Sequence, residues 1–396
     1  MLTHETKQFC PPNCLESILP RSPLFFRRYK RMITLVLVLL VVSLLILVHE
    51  WGHIYSARRF GVKVEEFGFG FPPKIYSRLK SGVRYSINLL PFGGFVKIFG
   101  EQGEGEGDPK SFISRPIWQR FIILASGVGM NFILAWVFFS FGAAFGLPQI
   151  DSDSSDKLNN IPVSIIGLVP NSPADKAGLR AGDQILEIKA FRSGSPTAEV
   201  SLRIESEQDI QGFVEAYRGE EIIMEVRRNN SIKEIKVTPR VAPPEGEGPL
   251  GIALGRLILK RTPWFLAPWE GLKTTGLSIV LIFKNLGMIL KDLLLHGKTS
   301  AAVSGPVGIF FFAQDSQSLG ISYFLQFMGI LSVNLAILNF LPIPALDGGR
   351  ILFLLIEKIR GRRISLRVEN WVHTFGFAFL ILIMVLVTYK DIARIL

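Results

Sequence analysis

The chain has 396 residues, of which 48% are hydrophobic and 19% charged, with a net charge of +11. That balance leans towards a membrane protein over a soluble enzyme, at a length sufficient for two or three domains. The basic residues cluster beside apolar runs, in RRYKR, SARRFGVK and EKIRGRRISLR; membrane topology produces this pattern, which argues against a nucleic-acid partner.

Residues 1–31 read as a polar, Pro-containing tail. The only cysteines, Cys10 and Cys14, lie there, four apart, a spacing typical of neither a zinc nor a redox pair. Met32–Val48 is uncharged for 17 residues, Phe121–Ile150 for 30, Ile321–Leu346 for 26, and Trp371–Tyr389 carries no full charge for 19. A spanning helix needs about 20 apolar residues, so four spans are expected. The first run is not a signal peptide, because no small-residue cleavage site follows it.

Between the first two spans, Gly and Pro punctuate GFGFPPKIYSRLKSGVRYSINLLPFGGFVKIFGE, which reads as short strands and turns. EQGEGEGD then reads as a solvated linker. Residues 151–247 have soluble composition, with a hairpin pattern around Asn229-Asn230-Ser231. APPEGEGP reads as a second linker. In 264–296, Lys273, Lys284 and Lys291 recur on one helical face, which predicts an amphipathic helix on the membrane and not a fifth span.

Loop 56–117 holds ten Lys or Arg, and five fall between Lys358 and Arg367. The positive-inside rule makes both loops cytoplasmic, with the soluble domain outside. Six Lys or Arg in residues 1–31 oppose this. Translation from Met32, or a dispensable 1–31 extension, removes the conflict.

The chemistry centres on HEWGH. His49 and His53, four apart on a helix, reach one metal ion, and Glu50 projects beside them as general base. This is the zinc metalloprotease pattern, and ionisable groups at bilayer depth are too costly to be idle, at roughly 3 kcal/mol each. A catalytic zinc needs a third protein ligand. Asp347 is the best candidate, because it ends an uncharged run after Pro342 and Pro344, where a broken helix lines a site. Interior Asn in a span usually serves packing, a reading that stays open for Asn334. His296 and His373 read as interfacial or structural.

HEWGH, NFLPIPALDGGR and the segment GLVPNSPADKAGLRAGDQILEI together resemble the site-2 protease family of intramembrane zinc metalloproteases, closest to its bacterial RseP-like branch with one PDZ domain. The pattern N-x-x-P-x-P-x-L-D-G stands in full as Asn339, Pro342, Pro344, Leu346, Asp347 and Gly348. The resemblance covers residues 32–390. It implies that His49, His53 and Asp347 bind Zn2+, that Glu50 is catalytic, and that Asn339, together with Asn334, holds the substrate backbone or stabilises the oxyanion. It further implies transmembrane substrates already cut by another protease, such as anti-sigma factors or remnant signal peptides, in the bacterial inner membrane. The PDZ-like domain would act outside as a size filter or peptide contact. The chain departs from the family at Val128, where proline is usual, and at Arg350, where histidine is frequent.

The expected architecture is a polytopic α-helical membrane protein with a membrane-associated β-hairpin region and one inserted PDZ-like α+β domain. Its parts are the tail 1–31, first span 32–56, cytoplasmic strand loop 57–117, second span 118–150 and PDZ-like domain 151–247. Linker and amphipathic helix follow at 248–320, the third span at 321–356, and the basic loop with the fourth span at 357–396. Two rival readings are a catalytically silent membrane PDZ scaffold and a transporter with a midplane ion site. No internal repeat supports the transporter.

Overall fold

The computed structural model describes residues 23–150, 162–169, 171–191, 199–228, 231–244, 247–296 and 305–395. The first helix, α1, runs Pro23–Arg59, so residues expected as tail are helical. Proline is tolerated at a first helical position, and nothing after it in PLFFRRYKR breaks a helix. Both cysteines and the Asn229-Asn230 turn lie outside the described residues.

α2 (Ile117–Phe145) is the central post of the membrane part, touching α1, α5 (Ala267–His296) and α7 (Ile321–Phe340). Small residues set these approaches. A Cβ on Gly52 of α1 would lie 2.5 Å from the Ser126 carbonyl oxygen, and one on Gly329 of α7 would lie 2.6 Å from the Phe139 ring. In lipid, where apolar tails offer helices no hydrophobic drive to associate, such close packing supplies the contact energy.

Five described helices are long and apolar enough to cross a membrane, within Met32–Arg59, Ile117–Phe145, Ala267–Asp292, Ile321–Phe340 and Leu366–Ala393. The third corresponds to the segment expected to lie on the surface. α5 packs along α2. Trp136 Nε1–H donates to the Pro268 carbonyl at 2.8 Å, a Cβ on Gly271 would meet the Ser140 backbone, and Ile279 and Ile282 pack beside Ala135 and Phe139. The lysine spacing does hold those three residues on the exposed side, but Leu277, Val280, Leu281 and Phe283 are exposed too. The helix is therefore apolar over most of its circumference. The last helix, α9 (Leu366–Ile395), buries almost nothing of its apolar run against the rest of the chain.

A β-rich domain is inserted between α2 and α5. Its seven described strands are β3 (Leu147–Ile150), β4 (Val163–Leu168), β5 (Gln184–Phe191), β6 (Glu199–Arg203), β7 (Ile222–Arg228), β8 (Ser231–Val237) and β9 (Ile252–Lys260). The order is β3-β9-β4-β5-β7-β8, with β6 on β5. The second uncharged run thus ends as helix at Phe145, and its last residues form β3. β9 likewise belongs to this sheet, not to a linker; Leu147 pairs with Lys260 across the two. Short helix α3 (Pro173–Lys176) is capped by Ser172, and α4 (Glu207–Ala216) begins with a reciprocal Ser206–Asp209 capping box. Ile210, Phe213 and Val214 of α4 join Ile185, Ile188, Ile222 and Met224 in the core.

Strands β1 (Val64–Lys80) and β2 (Val83–Ile98) form a separate sheet that folds back on itself. Glu66 pairs with both Lys97 and Arg84, and Phe69 with both Gly94 and Ile87. Segment 94–98 is therefore an edge, with β1 on one side only, and it faces α1. The outer part of the hairpin exposes Ile75, Tyr76, Leu79, Ile87 and Leu89.

The acidic loop after β2 is not a free linker. Glu101 pairs with Arg350 and Glu106 with Arg363, while Arg363 also reaches the Ile113 carbonyl. Beneath them, Arg120 of α2 makes a two-pronged bond to Glu357 of α8 (Asp347–Arg360), at 3.1 and 2.6 Å. The Arg120 side chain is only 6% exposed. Removing one partner of a buried pair leaves an uncompensated charge. Glu357→Ala is expected to cost about 3 kcal/mol, read as a lowered thermal midpoint of the detergent-solubilised protein, whereas Arg363→Ala, at the exposed rim, shifts it little.

Candidate metal centre

α1 carries HEWGH on its last turns as one continuous helix, so His49 and His53 share a face. α8 begins at Asp347 after the irregular turn 341–346, which Pro342 and Pro344 keep from being helical. Asp347 thus stands in a first helical turn, where the positive end of the backbone dipole favours a carboxylate. Gly348 and Gly349 are obligatory here: a Cβ on either would lie 2.1 or 2.5 Å from the carbonyl oxygens of Leu341 and Ile343 respectively.

The two segments meet at one point. His49 Nε2 is 3.0 Å from Asp347 Oδ2 and 3.3 Å from His53 Nε2, and His53 Nε2 is 3.3 Å from the same carboxylate oxygen. His53 Nδ1–H donates to the Ile123 carbonyl at 2.8 Å, which leaves the Nε2 lone pair facing the centre. Such a set of electron pairs calls for a cation. Ligands held tetrahedrally at zinc–ligand distances of about 2.0–2.1 Å stand about 3.3 Å apart, and the observed triangle fits that spacing. The three residues form the one His, Cys, Asp or Glu group among the described residues with geometry for a metal ion.

Glu50 is not part of the triangle. It lines two cavities that meet the same centre. One, of about 440 Å³, is walled by Glu50, His53, Phe95, Val96, Asp347 and His373. The other, of about 190 Å³, includes His49, Glu50, Leu335, Asn339 and Asp347. Asn339 Nδ2 lies 3.5 Å from His49 Nε2. Asn334 lines neither cavity. Five residues along a helix rotate a side chain by about 140°, so the two asparagines cannot share one face.

Three supporting groups were not singled out from the sequence. Gly127 lets α2 pass against the imidazoles: a Cβ there would lie 2.4 Å from His53 Nε2 and 2.8 Å from His49 Cε1. The Ile123 carbonyl orients His53. Fully buried Asn131 sets its amide 3.4 Å from His49 Nδ1, while its Oδ1 has no partner. With the amide turned over, Oδ1 accepts the Nδ1 proton and both imidazoles carry the same tautomer. The stretch SGVGMNF holds Gly127 and Asn131, four apart on one helical face, and that spacing is the signal that could have found them.

Three protein donors, room for a fourth position and a carboxylate beside them define a metal hydrolase centre. The family model for peptidase family M50 matches residues 37–383, and the chain belongs to that family. It is 30% identical to the regulator of sigma-W protease RasP of Bacillus subtilis (strain 168), over 91% of this chain and 99% of that protein. It is 29% identical to the zinc metalloprotease RasP of Shouchella clausii, over 91% and 99%. With the regulator of sigma E protease of Haemophilus influenzae the identity is 27%, over 90% and 98%. The protein is a zinc metalloprotease and an integral membrane protein.

Gly127→Ala places a methyl group against His53 Nε2 and His49 Cε1. It should lower the zinc content of the purified protein well below about one ion per chain, measured by plasma mass spectrometry, with the helical circular-dichroism signal retained.

Proposed function

We propose that this protein cuts single-span membrane proteins inside the bilayer, near its cytoplasmic face. His49, His53 and Asp347 hold zinc, and Glu50 is the general base. The single observation that carries this reading is the His49–His53–Asp347 triangle at tetrahedral-edge distances, with Glu50 beside it and outside the triangle. Bound zinc supplies Lewis acidity to the scissile carbonyl and a water poised near neutral pH. Glu50 takes the proton from the attacking water and passes it to the leaving amine. Asn339, on the other side of His49, donates its amide to the substrate carbonyl or the oxyanion; Asn334 is a packing residue of α7.

A membrane helix hides its carbonyls in hydrogen bonds and must be unwound before attack. Edge segment 94–98 of β2 supports a solution, because an extended peptide can add to it as a further strand. Phe95 and Val96 share the larger cavity with Glu50. The exposed apolar outer part of the hairpin fits insertion into lipid. The ion pairs joining loop 101–113 to 350–363 put the two most basic loops at one end of the molecule, in keeping with a common cytoplasmic side.

The β-rich domain carries the pattern S-P-A-x-x-A-G-L-x-x-G-D-x-I-L of a PDZ domain. Its residues behave as that pattern requires: Ser172 caps α3, and Gly178 and Gly182 take positive φ of 86° and 90°. We read it as a filter outside the membrane that excludes substrates with bulky outer domains. The names of the relatives tie those proteins to sigma-W and sigma E, which supports anti-sigma factors, already trimmed outside, as the substrate class.

Two experiments test this reading. Glu50→Gln should keep about one zinc per chain and abolish turnover, whereas His49→Ala, His53→Ala and Asp347→Ala lose the metal; a fully active Glu50→Gln enzyme overturns the mechanism. Excising the β-rich domain should permit cutting of single-span reporters that keep an intact outer domain, read by immunoblot. Unchanged selectivity rejects the filter.

A further inference from the structure

The larger cavity has two long walls. β2 gives one, through Phe95, Val96 and Ile98, and α9 gives the other, through His373, Thr374 and Phe377. α9 is held there by close contacts with the turn that precedes Asp347. A Cβ on Gly376 would lie 2.4 Å from Pro344 Cβ, and the Ala345 backbone N–H donates to His373 Nδ1 at 2.9 Å. Ala345 has a φ of 76°, unusual for a residue with a side chain. His373 therefore accepts a hydrogen bond from the strained turn two residues before a zinc ligand.

That bond also decides the state of the imidazole. A nitrogen that accepts from a backbone N–H carries a lone pair, so the ring proton is on Nε2. His373 Nε2 is shielded from solvent and has no hydrogen-bond partner. A buried, unpaired donor is costly and asks what meets it in the working enzyme.

An extended peptide in this cavity presents backbone groups alternately to two sides. Those facing β2 find the strand edge 94–98, which has β1 on one side only. Those facing α9 find little: Phe377 has no donor, and the Thr374 hydroxyl is committed to the Asn370 carbonyl at 2.8 Å. At bilayer depth a carbonyl without a partner is costly, since no bulk water replaces the bond. We propose that His373 is a substrate-binding residue, donating its Nε2–H to a main-chain carbonyl of the unwound substrate on the side away from β2. The proposal rests on the zinc-protease reading above. It gives α9 a part in the reaction that neither HEWGH nor LDGG supplies.

Asparagine and glutamine separate the two bonds of the ring. An asparagine carbonyl reaches the place of Nδ1 and can keep the turn, but offers no donor at the place of Nε2. A glutamine amide reaches Nε2. The full-length, zinc-loaded protein in detergent is assayed on a synthetic single-span peptide with a Gly-Pro pair at its centre. His373→Asn is expected to lose about tenfold or more in kcat/KM against His373→Gln, with zinc content equal to wild type in both. A role confined to holding the turn predicts the reverse order, and Asn equal to or better than Gln overturns the proposal. Should either variant fail to fold, nitrogen-15 NMR of labelled histidine in zinc-loaded Glu50→Gln gives a second readout. The Nε2–H tautomer and a downfield proton shift on adding the peptide are expected; the Nδ1–H tautomer, or no shift, overturns it. Wild-type activity in Glu50→Gln would instead sink the zinc-protease reading and is distinguishable from both.

Discussion

Three electron-pair donors from two distant segments converge on one point at membrane depth, and the arrangement is stable only around a cation. His49, His53 and Asp347 stand 3.0–3.3 Å apart. Two imidazoles fixed with their lone pairs inward repel a carboxylate oxygen at that distance unless positive charge lies between them. A cation at this point would tie α1 to α8, and the fold around it can be read as what holds that junction in place.

α2 is the scaffold for the junction. It offers the Ile123 carbonyl to one imidazole and the Asn131 amide to the other, and it approaches both closely because position 127 has no side chain. Ser332 of α7 donates to the Asn131 carbonyl at 2.8 Å, which locks α7, and with it Asn339, to the same level. At the basic end, the Arg120–Glu357 pair fixes α8 against α2 just beyond the turn that delivers Asp347. Glu50 and Phe95 and Val96 of the strand edge then face one cavity.

The membrane part contrasts with α9, which is held near the centre through Gly376 and His373, yet leaves most of its apolar surface to lipid. A second hold lies at its far end, where Asp391 accepts from the backbone N–H groups of Gly305 and Gly308 at 2.9 Å. Between those points nothing in the described chain packs densely on it.

Much of the chemistry was legible in the sequence, because it rests on local rules. An i, i+4 histidine pair is set by the 3.6-residue period of a helix, and Pro342, Pro344 and the glycines after Asp347 mark a broken helix by their own backbone limits. Lengths of uncharged runs located four of the five long apolar helices. For the fifth, lysine spacing reports one face only, while its packing on Trp136, Ala135 and Phe139 of α2 depends on a partner far away in sequence. β3 and β9 were missed for the same reason: each is apolar enough to pass as membrane or linker until the other pairs with it. Asn131, Gly127, the Ile123 carbonyl and His373 matter only through what they touch across helices. Local composition determined which residues can bind zinc and carry protons. Only the tertiary structure decided which of them share a centre, because convergence depends on contacts between segments that the chain itself keeps hundreds of residues apart.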